Sequence, residues 1–407
     1  MQRRWLSSAA IAMAAALVAS ACGVVGGPGG AAPASITIVS SLPLTGPSRT
    51  QTVTIVNAIE MALDEVGRKI GNTTIEYQSL DDATAARQSW DAAQEAENAG
   101  NAARDASVVA YIGTFNSGAA QVAIPILCAA GLAMISPANT YAGLTKAGKG
   151  EPDEPGKYYP GGCARNYTRV VPADDLQGAV GAAWAKELGA TKVFVTHDNE
   201  LYGKGLADVF RTEAEAAGLE IVGNEGAPKA DNYRALANKI RDSGADLVYY
   251  GGITDNNPAI LVRDVKAVIP NIKLMGPDGI AESVFLETAG AAAEGMYITF
   301  GGVPPSEYTG KAKEWADQYR AKFGGDPEVY AIYGYEAAKV VIAALQKAGN
   351  RIGDRAAVRE AMMGTRNFEG VLGTWSFNEE GDTSLTTMAG MQIRSGEFAF
   401  VKLLGGQ

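Results

Sequence analysis

The chain has 407 residues and a net charge of −10 at pH 7. Because nucleic-acid-binding proteins carry basic surfaces, this acidic balance argues against nucleic acid as a partner. The sequence contains one His and three Cys. These are too few for a multi-His or Cys-cluster metal site, and we predict neither a metal nor a cofactor.

The N-terminal segment has the pattern of an export signal. Two arginines precede a mostly apolar, Ala-rich stretch, and the tripeptide Ala-Ser-Ala comes directly before Cys22. The stretch is too short and too rich in small residues to span a membrane, so we predict a signal peptide over residues 1–21. The Cys matches a lipoprotein cleavage site, although Ala19 replaces the usual Leu. We predict that Cys22 is lipidated; ordinary cleavage that leaves a free Cys is the alternative.

Residues 22–34 are mostly Gly, Pro and Ala and have no periodicity, which predicts a flexible, lipid-anchored linker. From Ser35 onward the chain is longer than the roughly 250–300 residues that one hydrophobic core accommodates, so two lobes are expected. No other apolar stretch approaches the length of a membrane span. The lipid is therefore the only predicted attachment to the membrane.

Strand and helix patterns then alternate along the chain. The β-branched stretch 35–40 and the apolar stretch 107–113 predict buried strands, whereas residues 141–167 have no period and predict a loop. Such alternation predicts mostly parallel sheets with right-handed crossovers, one sheet in each half, and hence two α/β lobes. The other predicted strands are 74–80, 132–135, 191–196, 219–223, 246–251, 272–275, 296–300, 370–377 and 398–404; the predicted helices are 53–66, 83–99, 117–128, 176–188, 204–217, 232–242, 257–268, 308–322, 329–348 and 354–363.

Six loops follow predicted strands and should lie at the carboxyl edges of the sheets, where open α/β sheets bind ligands. Their polar groups are the hydroxyls of Ser117 and Thr140, the carboxylate of Asp278 and the phenol of Tyr202. These groups suit binding of a small zwitterion, and no nucleophile–base set accompanies the single His197. The loops are PLTGP at 43–47, FNSG at 115–118, SPANT at 136–140, HDNELYG at 197–203, GGIT at 251–254 and GPDG at 276–279.

Taken together, the loop motifs resemble those of the leucine/isoleucine/valine-binding family, the extracytoplasmic solute-binding proteins of branched-chain amino acid ABC transporters. The resemblance extends from Ile36 to about Leu404. It implies a type I periplasmic-binding fold with three crossings between an α/β lobe I, residues 35–171 and 304–367, and an α/β lobe II, residues 172–303 and 368–407. The motifs, in the family's order and spacing, are PLTGP at 43–47, LDDAT at 80–84, YIGTFNSG at 111–118, ISPANT at 135–140, PADDLQG at 172–178, HDNELYGKGL at 197–206, VYYGG at 248–252, GPDG at 276–279 and AAEGMY at 292–297.

The resemblance also assigns roles to residues. Ser117, at a helix start, would bind the α-carboxylate of an amino acid, with a plain helix N-cap as the alternative. Backbone N–H groups around Ala138 and Thr140 would donate to that carboxylate, while the Ala138 carbonyl and the Thr140 hydroxyl accept from an ammonium; a capping turn is the alternative. Asp278 would pair with the α-ammonium, the alternative being a turn Asp. Tyr202 would lie against the ligand, with core packing as its alternative.

Some positions depart from the family pattern. Tyr330 is a weaker candidate for the same pocket, and Asn116 stands where some relatives have a less polar residue. Residues 48–52 and 253–254 lack the aromatic side chains that relatives often place there. We therefore expect the head-group site to be kept and the side-chain pocket to be changed. The ligand's identity stays open, with an amide or a small carboxylate as alternatives to an amino acid.

The expected function is that of a lipid-anchored, monomeric solute-binding protein without enzymatic activity. It would capture an amino acid outside the membrane and deliver it to an ABC permease, with a stand-alone ligand sensor or an exported hydrolase as alternatives. Cys128 and Cys163 form an even pair in an oxidising compartment. We favour a disulfide between them over two unrelated thiols.

Overall fold

The computed structural model describes residues 32–405, which form two mostly parallel sheets flanked by helices. The predicted signal peptide, Cys22 and most of the predicted linker lie outside the described residues. The strands are β1 Ser35–Leu42, β2 Lys69–Ile70, β3 Thr73–Asp81, β4 Ala83–Thr84, β5 Ser89–Trp90, β6 Val108–Gly113, β7 Ala133–Ser136, β8 Tyr167–Arg169, β9 Lys192–His197, β10 Glu220–Gly226, β11 Leu247–Gly251, β12 Lys273–Gly276, β13 Tyr297–Gly301, β14 Phe368–Gly370, β15 Gly373–Trp375, β16 Met388–Arg394 and β17 Glu397–Gly405. The helices are α1 Arg49–Glu65, α2 Ala92–Arg104, α3 Ser117–Ala129, α4 Asp174–Glu187, α5 Leu201–Ala216, α6 Arg234–Ser243, α7 Pro258–Val268, α8 Ser283–Ala289, α9 Gly310–Phe323, α10 Ala331–Ala348 and α11 Arg355–Met363.

The first sheet has the strand order β2-β3-β1-β6-β7-β8 and is parallel except at β2. All six residues of β6 are buried, as expected for a strand that is covered on both faces. Helices α10 and α11 return from far along the chain to pack on α1 and on this sheet. Arg355 attaches α11 to the first lobe, because its guanidinium donates to the carbonyls of Val108 at 2.8 Å and Ala103 at 2.9 Å.

The second sheet has the order β10-β9-β11-β12-β13-β16-β17, in which the last two strands are antiparallel. Its helical layer is anchored by aromatic contacts: Phe210 stacks on Tyr249 with ring centroids 3.7 Å apart, and Trp184 meets Tyr297 edge to face. The chain passes between the sheets after β8, after β13 and before β16. These three crossings and the two mostly parallel sheets confirm the predicted two-lobe α/β fold.

The hairpin formed by β14 and β15 packs against the first lobe. Glu336 of α10 is buried and accepts from Trp375 Nε1 at 2.7 Å and from Val371 N at 3.0 Å. One carboxylate thus binds the hairpin both at its turn and at the end of β15.

Two of the predicted elements are wrong in detail, and one strand was missed. The predicted helix 83–99 begins only at Ala92, because Asp91 caps it by accepting from Ala93 N at 2.9 Å and residues 83–90 contain the short β4–β5 pair. The predicted strand 370–377 is instead the second half of a hairpin. Strand β16 was not predicted, because its sequence MAGMQIR has little β-branched character.

The loop at 141–167 is confirmed as irregular up to β8, with three short 3₁₀ turns. A disulfide joins Cys128 of α3 to Cys163 in this loop, with Cα atoms 5.9 Å apart. The buried carboxylate of Glu154 also holds the loop, accepting from Tyr141 Oη at 2.8 Å and from Tyr158 Oη at 2.5 Å. Within residues 32–405, no helix combines the length and the apolar character that crossing a membrane requires.

Candidate ligand-binding site

A small cavity of about 30 Å³ lies between the two lobes, at the carboxyl edges of both sheets. A space of this size holds about one or two water molecules. It is formed by the loops after β6 and β7 on one side and after β11 and β12 on the other, together with the starts of α5 and α10. The structure brings all seven predicted site residues together there with three further ones; the lining residues are Phe115, Asn116, Ser117, Ala138, Thr140, Tyr202, Ile253, Asp278, Gly279 and Tyr330.

The first-lobe wall is built around the N-terminus of α3, which begins at Ser117 as predicted. The side chain of Asn116 makes no capping hydrogen bond, so the first-turn N–H groups of α3 remain available to an anion. Ser117 Oγ accepts from Tyr141 N at 3.3 Å. An anion in the cavity would therefore meet a helix N-terminus and a hydroxyl together.

The turn after β7 differs from the expectation in one hydrogen bond. Ala138 N donates to Ser136 Oγ at 3.0 Å, and Asn139 N donates to the same oxygen at 2.8 Å. The Ala138 N–H is therefore engaged within its own turn instead of pointing into the cavity. Of the groups predicted in this turn, the Thr140 N–H, the Ala138 carbonyl and the Thr140 hydroxyl remain as candidate ligand contacts.

The second-lobe wall centres on Asp278, which is 3% exposed. Its Oδ1 accepts from Gln177 Nε2 at 2.6 Å and from Tyr202 Oη at 2.8 Å, and its Oδ2 accepts from Tyr330 Oη. Burial raises the pKa of Asp278 above its usual value, although hydrogen bonds from Tyr330, Tyr202 and Gln177 act in the opposite direction. A carboxylate with this many donors is oriented tightly toward the cavity.

The close approach of Tyr202 to Asp278 depends on Gly279. A Cβ atom at Gly279 would lie 2.7 Å from Tyr202 Cε1 and 2.6 Å from the carbonyl oxygen of Gly252. Both distances are shorter than a carbon side chain tolerates. Glycine is thus required here because the phenol and a neighbouring loop pass directly over its backbone.

Two site residues were missed in the sequence, Asp174 and Gln177, both at the start of α4. Gln177 supplies one of the donors to Asp278. Asp174 is 1% exposed, and neither of its carboxylate oxygens has a hydrogen-bond partner. Burial, followed by the nearby charge of Asp278, raises the pKa of Asp174 well above its usual value. The only signal was the motif PADDLQG at 172–178, which the resemblance included without assigning it a role.

The site carries an excess of negative groups. The cations on neighbouring elements are already paired: Lys146 with Asp175 at 2.7 Å and Arg169 with Asp382 at 2.6 Å. Buried carboxylates are costly unless a cation or several donors compensate them. A ligand cation placed beside Asp278 would supply this compensation.

The site has the features of a binding site and lacks those of a catalytic one. His197 lies outside the cavity and accepts from Asn199 N at 3.2 Å through Nδ1, a local structural bond. Among residues 32–405, no group of three or more His, Cys, Asp or Glu side chains is arranged to hold a metal ion. Two lobes that enclose a polar cavity define the class of two-lobed solute-binding proteins.

Comparison with known proteins places the chain in a family: it belongs to the periplasmic binding protein family, whose sequence profile matches residues 35–397. It is 28% identical over 353 residues to a Leu/Ile/Val-binding protein of Rhizobium johnstonii, covering 86% of this chain and 89% of that protein. Membership of a family of binding proteins agrees with the predicted absence of enzymatic activity and confirms the predicted resemblance.

Two solved structures are similar over most of the chain. A leucine-binding protein of Thermotoga maritima superposes with a TM-score of 0.79 at 24% identity, covering 90% of this chain and 98% of that one. The substrate-binding protein of a branched-chain amino acid transporter from Streptococcus pneumoniae, in complex with isoleucine, gives a TM-score of 0.76 at 25% identity, covering 90% and 99%. The type I periplasmic-binding fold predicted from the sequence is thereby confirmed.

Proposed function

We propose that this protein is a lipid-anchored, monomeric solute-binding protein that captures an amino acid outside the membrane and delivers it to an ABC permease. The observation that carries the proposal is the opposition of charge across the cavity. The N-terminus of α3 and Ser117 lie on one side, and the buried carboxylate of Asp278 lies on the other. This pattern complements the α-carboxylate and the α-ammonium of one amino acid.

The ligand's ammonium would bind among acceptors from both lobes. The carboxylate of Asp278 lines the cavity from the second lobe, and the Thr140 hydroxyl lines it from the first. Each charge-assisted hydrogen bond in such a setting is about twice as strong as a neutral one. The ammonium thus replaces water with several strong acceptors at once.

The captured ligand would be enclosed by rotation of the lobes about the three crossings. We propose lobe I as residues 35–171 and 304–367 and lobe II as 172–303 and 368–407. Tyr330 of lobe I donates to Asp278 of lobe II, so the described conformation has the lobes in contact. The cavity of about 30 Å³ is too small to admit an amino acid without lobe opening.

The relatives support the amino-acid class. The Rhizobium johnstonii protein is named for leucine, isoleucine and valine, and a Pseudomonas aeruginosa relative at 28% identity is named for leucine, isoleucine, valine, threonine and alanine. The Streptococcus pneumoniae structure holds isoleucine. Together with the charge pattern of the cavity, these names support an α-amino acid as the ligand.

Titration calorimetry of the purified protein against a panel of amino acids and their des-amino analogues tests the proposal. An amino acid should bind at least about tenfold more tightly than the analogue that lacks its ammonium. Equal binding of the two, or binding of neither, would contradict an amino-acid function.

A small carboxylate is the second candidate ligand. It is favoured by one observation: Asp278 already accepts hydrogen bonds from Gln177 and Tyr202 of lobe II and from Tyr330 of lobe I. The surroundings of Asp278 therefore contain hydrogen-bond donors that suit a carboxylate. The same titration separates the candidates, because a carboxylate binder would prefer the des-amino analogue.

A further inference from the structure

A second polar cluster is buried between the lobes beside the cavity. Ser48 and Gln51 contribute to it from the start of α1 in the first lobe. Thr254, Asp255 and Glu282 contribute from the second. We call these five residues the distal cluster. Ser48, Gln51 and Glu282 are each 1% exposed, and Asp255 is fully buried.

The distal cluster adjoins the cavity through two hydrogen bonds. Gln51 Oε1 accepts from the backbone N–H of Tyr330 at 3.1 Å, and Thr254 Oγ1 donates to the carbonyl of Gly279 at 3.4 Å. Tyr330 and Gly279 both line the cavity. A ligand whose head group binds at Asp278 can therefore extend its side chain toward the distal cluster.

Several polar atoms of the distal cluster have no hydrogen-bond partner. They are Ser48 Oγ, Gln51 Nε2 and both carboxylate oxygens of Glu282. Asp255, in contrast, is satisfied, because it accepts from Ser48 N at 2.9 Å and from Ser89 Oγ at 2.7 Å. Buried polar groups are nearly always paired, so four unpartnered atoms in one place indicate groups that a ligand completes.

The unpartnered atoms also define the chemistry that would complete them. Glu282 offers acceptor oxygens and, when protonated, one O–H donor. Gln51 Nε2 is a donor, and the Ser48 hydroxyl can act as either. Burial, and then the neighbouring Asp255 charge, raise the pKa of Glu282 well above its usual value. The nearby Thr254 and Ser48 hydroxyls lower it, although neither makes a hydrogen bond of acceptable geometry to the carboxyl group. A hydrocarbon side chain would leave all four atoms unpaired, and an ammonium would leave the Gln51 donor unpaired.

Resting on the proposed amino-acid function, we propose that the distal cluster is the subsite for a side chain ending in a carboxamide or ureido group. The NH₂ of such a group donates to Glu282, and its carbonyl oxygen accepts from Gln51 Nε2. Ser48 Oγ completes the arrangement as donor or acceptor. The ligand is then an amino acid of the glutamine or citrulline type instead of a branched-chain one.

Calorimetry with glutamine, citrulline, leucine and lysine tests this assignment on the purified protein. Glutamine or citrulline should bind at least about tenfold more tightly than leucine, because a net buried hydrogen bond contributes roughly this factor. Glu282→Met should remove that preference by weakening glutamine and citrulline at least about tenfold. Gln51→Leu, at a separate position, should weaken glutamine and citrulline selectively.

Glu287→Met is the matched control, because Glu287 lies on helix α8, which begins directly after Glu282, and is exposed; it should change no affinity. Leucine binding as tightly as glutamine, or lysine binding more tightly than either, would overturn the subsite assignment while leaving the amino-acid function intact. Binding of no amino acid would overturn the proposed function and this assignment with it.

Discussion

Arg169 and Asp382 form a buried ion pair, with Nε and Oδ1 2.6 Å apart, between the last strand of the first sheet and the segment leading to the third crossing. The same guanidinium donates to the carbonyls of Asn139 at 3.3 Å and Tyr141 at 2.8 Å. These two carbonyls flank Thr140. One side chain therefore fixes both a crossing between the lobes and the turn that lines the cavity.

Asp382→Asn should destabilise the protein by about 3–5 kcal/mol, because it leaves the Arg169 charge buried without a partner. Urea unfolding measures the change. The control is Asp317→Asn, which removes exposed ion pairs with Lys313 and Arg320 and should cost less than about 1 kcal/mol. Equal effects of the two substitutions would show that the buried pair has no special structural role.

Asp278→Asn keeps the shape of the side chain and removes its charge. We expect amino-acid affinity to fall by about 2–5 kcal/mol, because a desolvated charge pair with the ligand ammonium is lost. The des-amino analogue should lose much less. Calorimetry with both ligands checks this, with the exposed Asp242→Asn in the same lobe as the control. An unchanged amino-acid affinity in Asp278→Asn would contradict the head-group assignment.

The disulfide between Cys128 and Cys163 joins residues that are 35 positions apart in the sequence and closes the loop between them. In the chain-entropy account, a closed loop of this length stabilises the folded state by roughly 3–4 kcal/mol. The double variant Cys128→Ser and Cys163→Ser should lose that amount in urea unfolding, and the reduced wild type should match it. Thiol titration of the unfolded, unreduced protein should detect neither of these cysteines. Two free thiols would contradict the pairing.

Glu95 gives the protein a pH-dependent stability. Burial raises its pKa to about 8, although Ser41 and Tyr111 donate to it at 2.6 and 2.8 Å and lower it. Between about pH 4.5, its ordinary pKa, and pH 8, the folded state retains a proton that the unfolded state has released. The free energy of unfolding should therefore fall as pH rises through this range, by up to about 1.4 kcal/mol per pH unit.

Glu95→Gln removes this proton uptake and should flatten the dependence. Burial raises the pKa values of Asp82, Asp174 and Glu282 well above normal. These groups would contribute to the slope that remains. Urea unfolding from pH 5 to 8 provides the measurement. The exposed Glu97→Gln on the same helix should keep the wild-type slope. A slope that is identical in Glu95→Gln and the wild type would rule out Glu95 as its source.

Cys22→Ser tests the lipid anchor. The variant should leave the membrane fraction and appear in the soluble extracytoplasmic fraction. The serine side chain has no thiol to carry the predicted lipid, and stable anchoring requires two acyl chains or one chain with a second signal. Mass spectrometry of the wild-type N-terminus should show a lipid-modified Cys. Retention of the variant in the membrane, with an unmodified wild-type N-terminus, would contradict the lipoprotein prediction.

The positions that sequence could predict are those fixed by local pattern. Ser117 and Asp278 each come shortly after an apolar strand. Their position at the carboxyl edge of a sheet could therefore be predicted from where those strands end. Gln177 could not be placed in this way, because its contact with Asp278 joins residues 101 positions apart. The same holds for Gln51 and Glu282, whose neighbours across the lobes are set by how two separate sheets meet and not by any spacing along the chain.

The bond between Cys128 and Cys163 has a consequence for when the site is completed. Thiols stay reduced in the cytosol and pair only after export. Tyr141, which donates to Ser117, begins the loop that this bond secures. A chain that is still in the cytosol would therefore lack one of the covalent bonds that position its ligand pocket.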